Sequence, residues 1–193
     1  PEDDPLLTAA FRRGQEELLF YRSGVTVYTN SGLTAAGDSQ TAAQAQRRAE
    51  AFLSRHGGRA DLQLLALSPY RRQGTYLVEF CQSWEGQPLV GASGAVLVVT
   101  PAGVESCWRR QLTVFGESGS RRSVITAESA LLTLALERPR PEATPLTVKE
   151  ISLGYYNEIY NADQWEASPV WRIWVGGDTN FYINAYTGEL EAE

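Results

Sequence analysis

Thr41-Ala42-Ala43-Gln44-Ala45 and, 85 residues later, Thr126-Ala127-Glu128-Ser129-Ala130 decide how this chain is read. Each segment starts a helix, and Thr126 can cap the second, with Glu128 and Ser129 in its first turn. In the first run Ala42, Ala45, Ala49 and Phe52/Leu53 recur on one helical face, and His56-Gly57-Gly58 is a glycine stop. In the second, Ala127, Ala130/Leu131, Leu134 and Ala135 do the same, and Pro139 and Pro141 close the helix. A second echo keeps the offset. Val98-Val99-Thr100-Pro101-Ala102-Gly103-Val104-Glu105 matches Ile183-Asn184-Ala185-Tyr186-Thr187-Gly188-Glu189-Leu190, and Gly103 and Gly188 are again 85 apart. Self-similarity at a fixed offset is the signature of internal duplication.

Working outward, each half carries further strand signals between its helix and its Gly turn. The first has Leu62–Leu67 and Tyr76–Phe80; the second has Val148–Leu153 and Val170–Trp174. The spacing slips between these pairs because the first half carries an insertion, Ser83 to Gly91. Tyr76, Val78 and Phe80 alternate with Leu77 and Glu79, and Phe181, Ile183 and Ala185 with Tyr182 and Asn184, so one sheet face packs on a helix. The expected class is α+β: two tandem repeats, each one helix on an antiparallel meander of about four strands. The expected boundaries are an N-terminal segment 1–38 with a short hairpin (Leu18–Tyr21 and Val25–Tyr28 around Ser23-Gly24), a first repeat 39–115, a linker 116–124 and a second repeat 125–193.

The composition fits a globular chain. Of 193 residues, 43% are hydrophobic and 21% charged, and no run of 18 apolar residues offers a helical membrane span. Seventeen basic residues against 23 acidic ones give a net charge of −6, which excludes a uniformly basic nucleic-acid binder. The charge is uneven: 107–140 holds six Arg against three Glu, whereas 141–193 holds two basic residues against nine acids. The Arg-rich stretch is either a contact for an acidic partner or for lipid headgroups, or a solvated loop whose charges balance the acidic tail of the same chain.

Cys81 and Cys107 are too few for a disulfide scaffold and lack the neighbours of a zinc site. They are free thiols, or a cross-strand disulfide if their strands are neighbours.

Catalytic signatures are nearly absent. The single histidine, His56, sits where the first helix ends and suits the negative end of its dipole better than general-base work. No nucleophile elbow, phosphate loop, dinucleotide glycine pattern, metalloprotease motif or calcium loop occurs. Acid pairs such as Glu16-Glu17 or Asp163 and Glu166 read as solvated loop charges rather than a glycosidase dyad. The expectation is no enzyme, no cofactor and no metal. Aromatic residues stand out instead. Tyr155, Tyr156 and Tyr160 crowd a loop with Asn157 and Asn161, and Trp84 lies in the insertion. Such rings either cap the core or form a contact surface. With Arg109 and Arg110 they are the candidate partner contacts.

The C-terminal third, Ser168-Pro169-Val170-Trp171-Arg172-Ile173 and then Asn180-Phe181-Tyr182-Ile183-Asn184-Ala185-Tyr186-Thr187-Gly188-Glu189, resembles the YycI branch of the YycH/YycI family. Phe20-Tyr21-Arg22-Ser23-Gly24 and Thr29-Asn30-Ser31-Gly32-Leu33 look like the start of its extracytoplasmic region. The helix–meander–Gly-turn repeat is similar to PepSY-type modules, which the germination protein YpeB also carries. The resemblance implies a Gram-positive-type accessory protein with one N-terminal transmembrane helix, which would precede Pro1, and a domain on the outer face of the membrane. It implies association with a YycH-like protein and modulation of an essential cell-wall sensor histidine kinase. It carries no catalytic residues; Pro169, Trp171, Tyr182, Asn184 and Gly188 match its pattern and read as structural. Two other functions stay in view: a PepSY-like domain that binds or inhibits a protease or lytic enzyme, and an enzyme acting on wall polymers.

Overall fold

A computed structural model of the chain describes residues 6–33, 39–58, 62–117, 119, 122–137, 146–156, 166–176 and 179–192. The class is α+β: two helices and an extensive mixed sheet. The chain forms two compact units, 1–83 with 93–113, and 84–92 with 114–193.

In the first unit, three strands precede the first helix: β1 (Leu7–Arg13), β2 (Glu16–Tyr21) and β3 (Val25–Asn30). Then follow α1 (Ala42–Arg55), β4 (Leu62–Pro69), β5 (Tyr76–Trp84), β6 (Gln87–Thr100), whose residues up to Ala92 belong to the second unit, and β7 (Gly103–Arg110). β4, β5, β6 and β7 pair in succession, and β3 pairs antiparallel with β7, which carries the sheet on to β2 and β1. Residues 6–33 are therefore part of this unit rather than a separate segment, and the expected hairpin β2–β3 has a third strand beside it.

α1 starts at a capping box. Thr41 Oγ1 accepts from Gln44 N at 3.3 Å, and Gln44 Oε1 accepts from Thr41 N at 2.8 Å. The helix ends at His56, with Gly57 in the left-handed region and the Gly58 amide bonded back to Leu53 O. Ala45, Ala49 and Leu53, at i, i+4 and i+8, are buried against Val78, Phe80, Ala95, Leu97, Val99, Val104 and Cys107. Two alanines in that stripe let the helix backbone lie close to the sheet. Gly94 admits a second close approach: a Cβ there would stand 2.0 Å from Phe80 O.

Cys81 lies on β5 and Cys107 on β7, and both are buried free thiols. β6 pairs with both strands, so the cysteines are not on neighbouring strands and the cross-strand disulfide considered from sequence does not form.

The second unit holds α2 (Ala127–Glu137) and β8 (Glu150–Tyr156), β9 (Ser168–Gly176), β10 (Thr179–Asn184) and β11 (Leu190–Ala192), each strand paired antiparallel with the next. Leu89 and Val90 of β6 pair parallel with Tyr155 and Tyr156, which makes the sheet mixed. Ala130 and Leu134 pack on Ile173, Phe181 and Ile183, with Trp171 at the edge of that core. The opposite face of the strands is buried as well: Val90, Tyr156, Val170 and Arg172 are all closed to solvent. Tyr155 and Tyr156 end β8 instead of lying in a loop. The insertion seen in the sequence is the β5–β6 hairpin, whose two turn residues, Glu85 and Gly86, both have positive φ (49° and 80°).

Candidate functional site

The register across five strands of the first unit builds one continuous row. Leu97 of β6 faces Cys107, Cys107 faces Tyr28, Tyr28 faces Leu18, and Leu18 faces Phe11. The next row is Ala95, Arg109, Thr26, Phe20 and Ala9. Partners in register share a face, so the face that α1 covers over Ala95 and Leu97 runs on, past the helix, to Phe20 and Phe11. There it opens into a cleft of about 530 Å³. Phe11, Leu18, Phe20, Thr26, Tyr28 and Cys107 form its floor, and Phe52, Leu53, His56 and Gly57 its wall. Phe11 is 61% exposed and Phe20 36%, their rings edge to face at 6.0 Å. Tyr28 bridges floor and wall: its ring meets Phe52 at 5.1 Å, and Phe52 meets the His56 ring at 4.5 Å.

The polar groups around this floor are mostly engaged. Tyr28 Oη donates to Glu16 Oε1 at 2.8 Å. Burial first, and then that bond to Glu16, raise the Tyr28 pKa above its ordinary 10.0. Arg12 pairs with Glu17 at 2.7 Å. Burial lifts the Cys107 thiol to about 11, against a smaller opposing pull from the Arg109 charge, so at neutral pH it is a protonated, poorly nucleophilic thiol. Arg109 donates to the carbonyls of His56 and Gly57 and to Gln111 Oε1, which ties the C-terminus of α1 to β7. Cations are favourable at that end of a helix. Such a surface can bind an apolar group; it assembles no nucleophile, base and orienting group in a row.

The residues chosen from sequence are scattered. Arg109 lies in the wall of the cleft. Arg110 and Tyr156 are buried, at 6% and 8% exposure, so neither stands on an open surface. Tyr156 stacks on Tyr182 at 4.7 Å with the rings nearly parallel, and Tyr155 is half-buried. Trp84, half-buried, precedes the β5–β6 turn. Tyr160 and Asp163 lie outside the described residues. Among the described residues no group of His, Cys, Asp or Glu side chains could hold a metal ion. Sequence reasoning missed Phe11, Leu18 and Phe20 as a surface; the signal was Leu18 and Phe20, two apart on one strand, inside a segment set apart from the repeat.

The motif residues of the second unit have structural work. Asn184 Oδ1 accepts from the amides of Tyr186 (2.8 Å) and Thr187 (3.0 Å), and its Nδ2 donates to Glu191. Gly188 follows in the left-handed region, at φ 80°. Pro169 O accepts from Ala185 N, and Trp171 Nε1 donates to Ile125 O. Arg172, only 3% exposed, pairs with Glu150 at 3.3 Å.

The model of the YycI protein family matches residues 61–186, more than half of the chain. The chain belongs to the YycI family. No curated protein matches it. Among solved structures, the Bacillus megaterium YpeB C-terminal domain is similar at a TM-score of 0.55 and 14% identity, over 99% of this chain and 90% of that one. An uncharacterized protein from Eubacterium rectale ATCC 33656 is similar at 0.54 and 13%, over 99% and 77%. At these identities the likeness is one of fold. The YycI match spans β4 to the final turn and leaves out β1–β3, the strands that carry the open part of the cleft floor.

Proposed function

We propose that this YycI-family domain is a non-catalytic extracytoplasmic regulator that binds a partner ectodomain and modulates a membrane sensor histidine kinase in cell-wall homeostasis. Family membership over residues 61–186 is the observation that carries this reading. A YycH-like protein and the kinase are the partners, and a transmembrane helix preceding Pro1 anchors the domain to the outer face of the membrane. Differential affinity for two kinase states would shift kinase output. Arg109, Trp84 and Tyr155 remain candidate contacts, as does Tyr160. Two successions of one helix and four strands are read as halves of a duplicated PepSY-like unit.

Affinity capture from native membranes, with tagged protein that includes any upstream segment, tests the reading. Recovery of a sensor kinase, with or without a YycH-like protein, is the expected result. Recovery only of a protease or lytic enzyme would favour the second reading, a domain that holds a hydrolase, which the likeness to the YpeB C-terminal domain keeps open. An empty capture, repeated with crosslinker, would sink both.

A further inference from the structure

We propose that the open end of the cleft, over Phe11, Leu18 and Phe20, seats an amphipathic helix of a partner protein alongside α1. The inference rests on the binding-domain reading and assigns it a surface. Three observations carry it. First, the floor is core-like. It is the same sheet face that α1 buries over Ala95, Leu97 and Cys107, and it continues in unbroken register to Leu18 and Phe11. An exposed apolar area continuous with a core is a mark of an interaction site.

Second, the open floor has the size of one helix. α1 reaches as far as β3, where Phe52 meets Tyr28. Beyond it lie β2 and β1, two strands spaced ~4.8 Å apart, so with their margins the uncovered strip is roughly 10 Å wide. A helix with its side chains is about 10–12 Å across. A helix laid there would be a neighbour of α1 on the same sheet face, with apolar residues at i, i+3/i+4 and i+7 over the Phe11–Phe20 pair. An added strand on the β1 edge would leave these rings uncovered.

Third, the charges select the helix. Glu17 is paired with Arg12, and Glu16 accepts from Tyr28 Oη but keeps its negative charge, so Arg13 and Arg109 stand against one unpaired carboxylate on this face. Arg13, which faces Glu16 in the register, has no ion-pair partner among the described residues. The Arg109 guanidinium in the wall donates to uncharged acceptors. The rim therefore favours a helix with acidic residues flanking its apolar stripe.

The test uses three synthetic 18-residue peptides and fluorescence anisotropy: a Leu-striped helix with Glu on its flanks, the same stripe with Lys, and a scrambled acidic sequence. The acidic helix should bind the purified domain with a Kd in the micromolar range, the Lys helix at least fivefold more weakly, and the scramble not measurably. Phe11→Glu should weaken binding of the acidic helix at least tenfold, and Arg13→Glu should reverse the acidic-over-basic preference. Phe11 is well exposed, so its variant should melt within a few degrees of the parent. Should it not, amide exchange on the unmodified domain replaces it, with slowed exchange in β1 and β2 on adding the acidic helix as the expected result. Equal binding of all three peptides, or binding indifferent to both substitutions, overturns the proposal. So does binding to phosphatidylglycerol vesicles without binding to the acidic helix, which would assign the surface to lipid, and so does concentration-dependent dimerisation abolished by Phe11→Glu, which would assign it to a second copy. Membrane capture of partners unchanged by Phe11→Glu would remove this surface and leave the regulatory reading standing. An empty capture with the peptide results intact would do the reverse.

Discussion

Trp171 donates its indole N–H to the carbonyl of Ile125, 3.0 Å away, across 46 residues of sequence. Ile125 in turn donates its amide to Ala185 O. The residue that leads into α2 is thus held at both backbone groups, by the Trp of the Pro-x-Trp-Arg-Ile strand and by the Ala of the Asn-Ala-x-Thr-Gly-Glu hairpin. Trp171 and Ala185 together fasten the start of a helix to the sheet.

Trp171→Phe keeps most of the ring and deletes the donor, leaving Ile125 O short of a partner in a part-buried place. The expected loss is about 1 kcal/mol, which in a domain of this size lowers Tm by roughly 2–4 °C. Partner capture should be unchanged. A thermal melt beside the capture assay checks both, and lost capture at unchanged Tm would make Trp171 a contact residue.

Arg109→Ala should cost about 1–2 kcal/mol through the acceptors it leaves at the end of α1. Those acceptors are uncharged, so the loss should persist in 1 M salt. The exposed Arg12–Glu17 pair is the contrast: surface pairs contribute little, and salt screens them. Arg109→Lys should recover only part of the loss, because an ammonium cannot span acceptors held by a planar fork. Urea unfolding of the three proteins at low and high salt is the measurement.

Much of this was legible in the sequence, for definite reasons. The first helix was carried by its apolar periodicity and by Gly57-Gly58 as a stop, whereas the capping box of Thr41 and Gln44 came to light only in the structure. The strand faces were carried by alternation, as in Val78 and Phe80, or Phe181 and Ile183. What was hidden depends on contacts far apart in the chain. Nothing local to Val25–Asn30 says that it pairs with Glu105-containing β7, so β1–β3 looked like an appendix and their face was not seen as a floor. Tyr155 and Tyr156 sit among Asn and Gly, which reads as a loop; parallel pairing with Leu89 and Val90, more than 60 residues earlier, makes them strand. The buried position of Arg110 has the same origin, since its neighbours Val25 and Gly94 are supplied by distant strands.

Alkaline pH should loosen the first unit. Cys107 has its pKa raised from the usual 9.0 to about 11 in the fold, chiefly by burial. A raised value means that the folded state holds the proton more tightly than the unfolded chain. The stabilisation is complete below about pH 9 and disappears as pH climbs through 11. Tyr28, its partner in register, is raised above 10.0 and acts in the same direction. Stability should therefore fall steadily from pH 9 upward. Cys107→Ala should make that fall shallower, and Cys107→Ala with Tyr28→Phe shallower again. Urea midpoints at pH 7, 9, 10 and 11 decide it; parallel curves for all three proteins would place the alkaline transition elsewhere.

Gly94 gives the sharpest single test of the packing. Its φ of 137° lies where L side chains are rarely found, and a Cβ built on it would meet Phe80 O at 2.0 Å and Cys81 Cα at 3.0 Å. The obstacle is backbone on β5, so no rotamer change relieves it, and β5 or β6 must move. Phe80 is buried against α1 and Cys81 is buried as well, so either shift opens a packed core. Gly94→Ala should cost at least 3 kcal/mol, at the upper end of what single substitutions do. Gly188→Ala is the matched control. It also has a positive φ, of 80°, but its nearest foreign atom is the end of the Ile125 side chain at 3.6 Å. That substitution should cost only about 1 kcal/mol, from backbone strain alone. Comparable losses for the two alanines would mean that the close approach of β6 to β5 is not as the structure has it.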